Sequence, residues 1–207
     1  MPHGCSVWPA SWLVGPNWPN GGEIDVLEGV NNQQTNQYTL HTAEGCSLNP
    51  NPLAKTRNLT TGIPQAFTST ILTTKCAVTG ASNIGCAFAD GDTRTYGHGF
   101  NMEGGGVYAT LVDSTGVSIW FFTRSAIPAD IQSLNPDPST WGVPAAFFSS
   151  STCDPANFFH EMLMVINTTL CGDWAGAVYN SMGCPGTCAE AVANPANFKC
   201  KYFGLMF

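Results

Sequence analysis

The densest chemistry in the 207-residue chain is Gly22-Glu23-Ile24-Asp25-Val26-Leu27-Glu28-Gly29. Three of the fourteen acidic residues fall within six positions, on a segment otherwise built to be a buried strand. In a regular strand Glu23 and Asp25 share a face, whereas Glu28, five positions beyond Glu23, points the other way. A β-bulge at Val26–Leu27 adds one residue and brings Glu28 back to that face, with Ile24 and Val26 packed behind. Like charges crowded in a row must spread their pKa values apart. A retaining glycosidase needs that spread: one ionised carboxylate attacks an anomeric carbon, and a protonated one about 5–5.5 Å away donates to the leaving oxygen. The same acids could instead line an exposed edge or bind Ca²⁺ as hard oxygen ligands.

An exposed edge does not account for the aromatic residues just upstream. Trp8, Ala10 and Trp12 alternate onto one face, and Trp18 sits in a Pro/Asn/Gly loop five residues before Glu23. The flat face of an indole matches the apolar face of a pyranose, so tryptophans beside acids suit a sugar platform. Burial in a core is the competing reading, strongest for Trp8.

The elements that must position these groups read as short β segments separated by turn residues, with no helix over 10 residues. Residues 23–30 form one expected strand, 37–42 the next and 163–170 another. Val107–Val112 and Val117–Thr123 flank Asp-Ser-Thr-Gly, a hairpin whose turn suits a type I geometry closed by Gly116. Residues 43–65 and 79–105, rich in Gly, Asn, Pro and Thr, are expected as long irregular loops. With no repeat, charge run or linker, the expectation is a single all-β domain over 1–207, a jelly-roll sandwich of two antiparallel sheets.

Composition narrows the partners. Charged residues make up 10% of the chain against about 25% in an average soluble protein, so Thr, Asn, Ser and Gly must wet the surface. Such a surface suits a secreted protein. A net charge of −7 without a Lys/Arg cluster argues against nucleic acid. No apolar run approaches the ~20 residues of a membrane span. Nine cysteines point to disulfides in an oxidising compartment, with pairing left open. Nine is odd, which leaves one without a partner in the chain. Asn58-Leu-Thr and Asn167-Thr-Thr are glycosylation sequons.

Gly-Cys-Ser-Val-Trp-Pro-Ala-Ser-Trp followed by Trp-Pro-Asn-Gly-Gly-Glu-Ile-Asp-Val-Leu-Glu-Gly-Val-Asn resembles the catalytic region of family 16 glycoside hydrolases. The likeness is to the fungal secreted laminarinase-like branch, the endo-β-1,3(4)-glucanases. Tyr-Thr-Leu-His-Thr, Tyr96-Gly-His-Gly-Phe-Asn, Ile119-Trp-Phe-Phe-Thr-Arg and Leu170-Cys-Gly-Asp-Trp-Ala-Gly extend it over most of residues 4–190. The resemblance implies Glu23 as nucleophile, Glu28 as general acid/base and Asp25 as the group that tunes Glu23. It implies Trp12, Trp18 and Trp174 as subsite platforms and His41 beside the catalytic row, with no cofactor and no metal. His98, in a glycine-rich loop, is as readily structural as substrate-contacting. The implied partner is a β-glucan, bound by a monomer.

The family's catalytic strand lies well inside its domain, whereas Glu23 stands near the start of this chain. The expectation is an incomplete sandwich lacking N-terminal strands, with unpaired inner edges, uncovered apolar faces and a cysteine deprived of its partner. A glucan-binding jelly roll without turnover, an inactive fragment and a transglycosylase are the competing functions.

Overall fold

The computed structural model describes residues 1–54, 56–57, 64–80 and 82–198. Its strands are β1 (Val7–Val14), β2 (Glu23–Glu28), β3 (Gln37–His41), β4 (Thr56–Arg57), β5 (Pro64–Gln65), β6 (Thr70–Thr73), β7 (Cys86–Ala89), β8 (Gly106–Asp113), β9 (Gly116–Thr123), β10 (Ala146–Ser149) and β11 (Leu163–Leu170). Five short helices join them: α1 (Gly97–Met102), α2 (Ala129–Gln132), α3 (Pro155–Phe158), α4 (Gly172–Ala177) and α5 (Cys188–Ala193). Among the described residues none is long and apolar enough to cross a membrane.

Two antiparallel sheets form the sandwich, one of six strands in the order β11-β1-β2-β3-β7-β6 and one of three in the order β10-β9-β8. Their facing sides meet in one core. Ile24, Val26, Tyr38, Leu40 and Phe88 of the larger sheet pack with Val117, Ile119, Ala146 and Phe148 of the smaller. Phe88 and Phe148 meet edge to face with ring centroids 5.0 Å apart. Burying a side chain of this size contributes about 1.5–3 kcal/mol, so this seam holds the sheets together. Alternation along β2 does the rest: Ile24 and Val26 turn into the core, which leaves the acids for the opposite face.

Four disulfides tie the ends and loops: Cys5–Cys184, Cys46–Cys153, Cys76–Cys86 and Cys171–Cys188. They account for eight of the nine cysteines; Cys200 lies outside the described residues. The sequon at Asn58 lies outside them as well.

The expected strands at 37–42 and 163–170 and the 107–123 hairpin are present, the last as β8 and β9 with Gly116 at φ 139°. The strand expected over 23–30 stops at Glu28. Gly29 follows because no larger residue fits: a Cβ there would lie 2.6 Å from Cζ of the Tyr96 ring. Residues 79–105 are a correction, since β7 and α1 lie within them. Cys86-Ala-Phe-Ala is too short for periodicity to reveal, and buried pairing with β3 makes it a strand. The 43–65 stretch likewise contains β4 and β5.

Three apolar residues on one face of β11 stand open among the described residues. Met164, Ile166 and Leu170 of β11 pair with Leu13, Ser11 and Val7, and Val7 and Leu13 turn toward the core. Yet they stand 69%, 41% and 37% exposed.

Candidate active site

The bulge in β2 is where the sequence places it. Glu28 and Leu27 pair with Ala10 and Ser11, then Asp25, Ile24 and Glu23 pair with Trp12, Leu13 and Val14, so Val26 is the unpaired extra residue. Asn36 secures this irregularity. Its Oδ1 accepts the Glu28 N–H at 2.8 Å, and its Nδ2 donates to the Val26 carbonyl at 2.8 Å. Both groups lie beyond Asp25–Thr39, the last pair of the β2–β3 ladder, and Asn36 is fully buried. Asn36→Ala orphans both, at about 1–3 kcal/mol each, and is expected to lower the unfolding free energy by about 2–6 kcal/mol. Urea denaturation measures it; a loss under about 0.5 kcal/mol would show that the bulge needs no such brace.

The acids open into a cleft of about 620 Å³ lined by Trp8, Ala10, Trp12, Trp18, Glu23, Glu28, His41, Asn167, Thr169, Asp173 and Trp174, among others. Trp8 Nε1–H donates to Glu28 Oε1 at 2.8 Å, and the Trp8 ring meets Trp174 of α4 edge to face at 5.6 Å. Trp18, 43% exposed, donates its indole N–H to Glu23 Oε2 and tilts toward His41 at 6.5 Å. His41, paired with Glu23 across β2–β3, sets Nε2 3.4 Å from Asp25 Oδ2.

The three carboxyls differ in surroundings and so in protonation. Burial pushes Glu28 from the ordinary 4.5 to about 7; the Glu23 charge adds to the rise and the Trp8 hydrogen bond opposes it. Burial also raises Glu23, offset by hydrogen bonds from Asp25 and Trp18. Asp25 is raised well above the carboxylate range, first by burial and then by the charges of Glu28 and Glu23. With every carboxyl ionised, neither Asp25 oxygen has a donor, although both are buried. A proton on Asp25 resolves this, since Asp25 then donates to Glu23. Burial lowers His41 to about 4, so its ring is neutral near pH 7.

Two donors thus hold Glu23 down against the burial that raises it, whereas Glu28, raised to about 7, is poised to give up a proton near neutrality. That is the division of labour of a nucleophile and a general acid. Among the described residues, Glu23, Asp25 and His41 also put one ligand atom each within 4.8 Å of one another. Asp25 is sealed from solvent, and a hard cation prefers six or more oxygens, so the trio is a poor cage for Ca²⁺.

The structure thus brings Glu23, Asp25, Glu28, Trp12, Trp18, His41 and Trp174 into one region, with Asp25 just beneath the cleft surface. His98 lies exposed on α1 and does not line the cleft. Trp8, which the sequence leaves between core and platform, is half-buried and bonded to Glu28. Asn36 and Asn167 carry no sequence signal for these positions, because an asparagine's partners are set by chain crossings far away in sequence.

The family described as XgeA-like, catalytic GH16 domain, matches residues 1–206. A probable glycosidase of Schizosaccharomyces pombe is 42% identical over 99% of this chain and 47% of its own length. An endo-1,3(4)-beta-glucanase of Arthroderma benhamiae is 39% identical over 100% of this chain and 45% of its own. Laminarinase 16A from Phanerochaete chrysosporium, solved with 6-O-glucosyl-laminaritriose in its donor and acceptor sites, superposes with a TM-score of 0.86 at 36% identity, over 97% of this chain and 65% of that one. The chain spans about half the length of the first two relatives, and under two thirds of the laminarinase.

Proposed function

The chain belongs to glycoside hydrolase family 16, and on that premise we propose that its cleft hydrolyses internal bonds of β-1,3-glucans, or of mixed β-1,3/1,4 or 1,6-branched ones, with retention at the anomeric carbon. The carrying observation is that one bulged strand puts two carboxyls, Glu23 and the more deeply buried Glu28, into one tryptophan-lined cleft. Glu28 gives its proton to the glycosidic oxygen as the bond from that oxygen to the anomeric carbon breaks. Glu23 then forms an ester at that carbon. The aglycone leaves, and ionised Glu28 takes a proton from the water that displaces Glu23. Asp25 lends Glu23 a hydrogen bond that holds down its pKa, and neutral His41 packs the far side of the pair. Trp12, Trp18 and Trp174 offer indole faces to successive glucosyl units. No cofactor enters these steps.

We assign residues 1–207 to one jelly-roll domain of a secreted, monomeric protein. Further strands, laid over Met164, Ile166 and Leu170 and beside the β11 edge, would complete it. Four disulfides support an oxidising compartment. The test is reducing-end release from laminarin, with the first product anomer followed by NMR. A β-anomer formed first supports the reading; an α-anomer overturns retention. Glucan binding without any product would leave a binding module. A transglycosylase shares every step except the acceptor, and an elongating family 16 β-1,3-glucosyltransferase superposes at 38% identity, so laminarin chain lengthening is measured alongside.

A further inference from the structure

Asn167-Thr168-Thr169 is a glycosylation sequon, and its asparagine stands on the floor of the cleft. In β11, residues 167 and 169 share a face, which is also the face of Trp8, Ala10 and Trp12 on β1. Asn167 pairs with Ala10, and Ala10 pairs on its other side with Glu28. The three lie on one line across the sheet, so Asn167 is two strand spacings, about 10 Å, from the acid/base position. Ala10 between them is too small to screen one from the other. The Asn167 Oδ1 accepts the Trp12 indole N–H at 2.8 Å, and Nδ2 donates to Thr169 Oγ1 at 3.2 Å. Asn167 itself is exposed.

From this juxtaposition of sequon and cleft floor, we infer that Asn167 is a modification site at which an N-linked glycan and a bound glucan exclude each other. The inference rests on the cleft being the glucan site. In the transfer, Nδ2 attacks the anomeric carbon of a lipid-pyrophosphate-linked oligosaccharide. The N–C bond forms, the C–O bond to pyrophosphate breaks, the lipid pyrophosphate leaves with the electron pair, and Nδ2 loses one proton to the transferase's base. One N–H and the Oδ1 remain, so the bond from Trp12 survives and the modified chain keeps its fold. The sequon backbone is paired with β1 along its whole length, so transfer belongs to the chain before it folds. Once β11 is in place, the first sugars stand beside Trp12 and over Ala10, where a glucan must lie to reach Glu28.

The experiment secretes the Asn58→Gln protein from a eukaryotic host, so that any glycan reports Asn167, and separates occupied from unoccupied chains on a lectin column. Occupancy is read by the mass change when an amidase releases the glycan and leaves aspartate. The occupied fraction is expected to bind and cleave laminarin at least ten-fold less well, and its tryptophan emission to be less quenched by acrylamide. Glycan release is expected to restore both. Equal laminarin binding and equal quenching in the two fractions would overturn the inference, as would a sequon found empty in the secreted protein. If the unoccupied fraction also fails to bind laminarin, the glucanase reading falls, and the quenching comparison still decides this one.

Discussion

Glu23→Gln and Glu28→Gln are each expected to lower laminarin cleavage by at least about 10³-fold while the protein stays folded. The two losses differ in kind. Glu23→Gln removes the carboxylate assigned as nucleophile, so no glycosyl ester forms. Glu28→Gln removes the proton, so substrates whose leaving group needs no protonation, such as activated aryl glucosides, are expected to recover part of the rate. The pH profile separates them further. Wild-type activity needs Glu28 protonated and should fall as pH rises through about 7, with an acid limb set by Glu23. Residual activity of Glu28→Gln on the activated substrate should lack the limb near 7.

Stability supplies an independent reading of the same group. The folded pKa of Glu28 lies above its unfolded value, so burial without a charge holds at low pH, and stability is lost as pH rises toward about 7. Glu28→Gln, neutral at every pH, should melt higher than wild type at pH 8 and no higher at pH 4. Wild-type-like cleavage in either glutamine variant would overturn the assignment of roles. A low melting temperature at both pH values would instead mark a damaged fold.

Replacing Cys46 and Cys153 together by alanine is expected to destabilise the protein by about 3–5 kcal/mol, the largest effect on folding. The bridge spans 107 residues and joins the loop after β3 to the loop after β10, one from each sheet. Uncrosslinking a loop of about 100 residues returns conformational entropy worth roughly 4.7 kcal/mol to the unfolded chain, less whatever the enclosing Cys5–Cys184 bridge already restrains. Both sulfurs are buried, so the pair also leaves a small void. The loops retain two bonds beside it, Ser47 N–H to the Thr152 carbonyl at 3.1 Å and Thr152 Oγ1–H to the Ser47 carbonyl at 2.6 Å. Denaturant unfolding under oxidising conditions reads the difference. A loss below about 1 kcal/mol would mean that core packing alone fixes the sheets against each other.

The acidic strand β2 is legible in the order of its residues. Its alternation, the five-residue step from Glu23 to Glu28 and the apolar residues between them together require a bulge at Val26–Leu27. The need arises because a side-chain period of two cannot otherwise set three acids on one face. Trp12 and Trp18 are legible for a related reason: large aromatic residues beside acids on a polar loop have few structural uses. Short strands without alternation are not legible. Residues 86–89 become β7 only because β3 and β6 flank them, a pairing local sequence does not encode.

What the sequence by itself determined is therefore the chemistry: which residue types stand at which spacing, and the periodicity that sorts acids to one side and Ile24 and Val26 to the other. The tertiary structure decided how those groups differ. Sealing Asp25 in the sheet, bonding Trp8 to Glu28 and Trp18 to Glu23, and bracing the bulge with Asn36 give three similar carboxyls three different surroundings. It also decided that the sequon at Asn167 lies in the cleft. Protonation depends on burial and on partners brought from other strands, and these exist only once the chain has closed on itself.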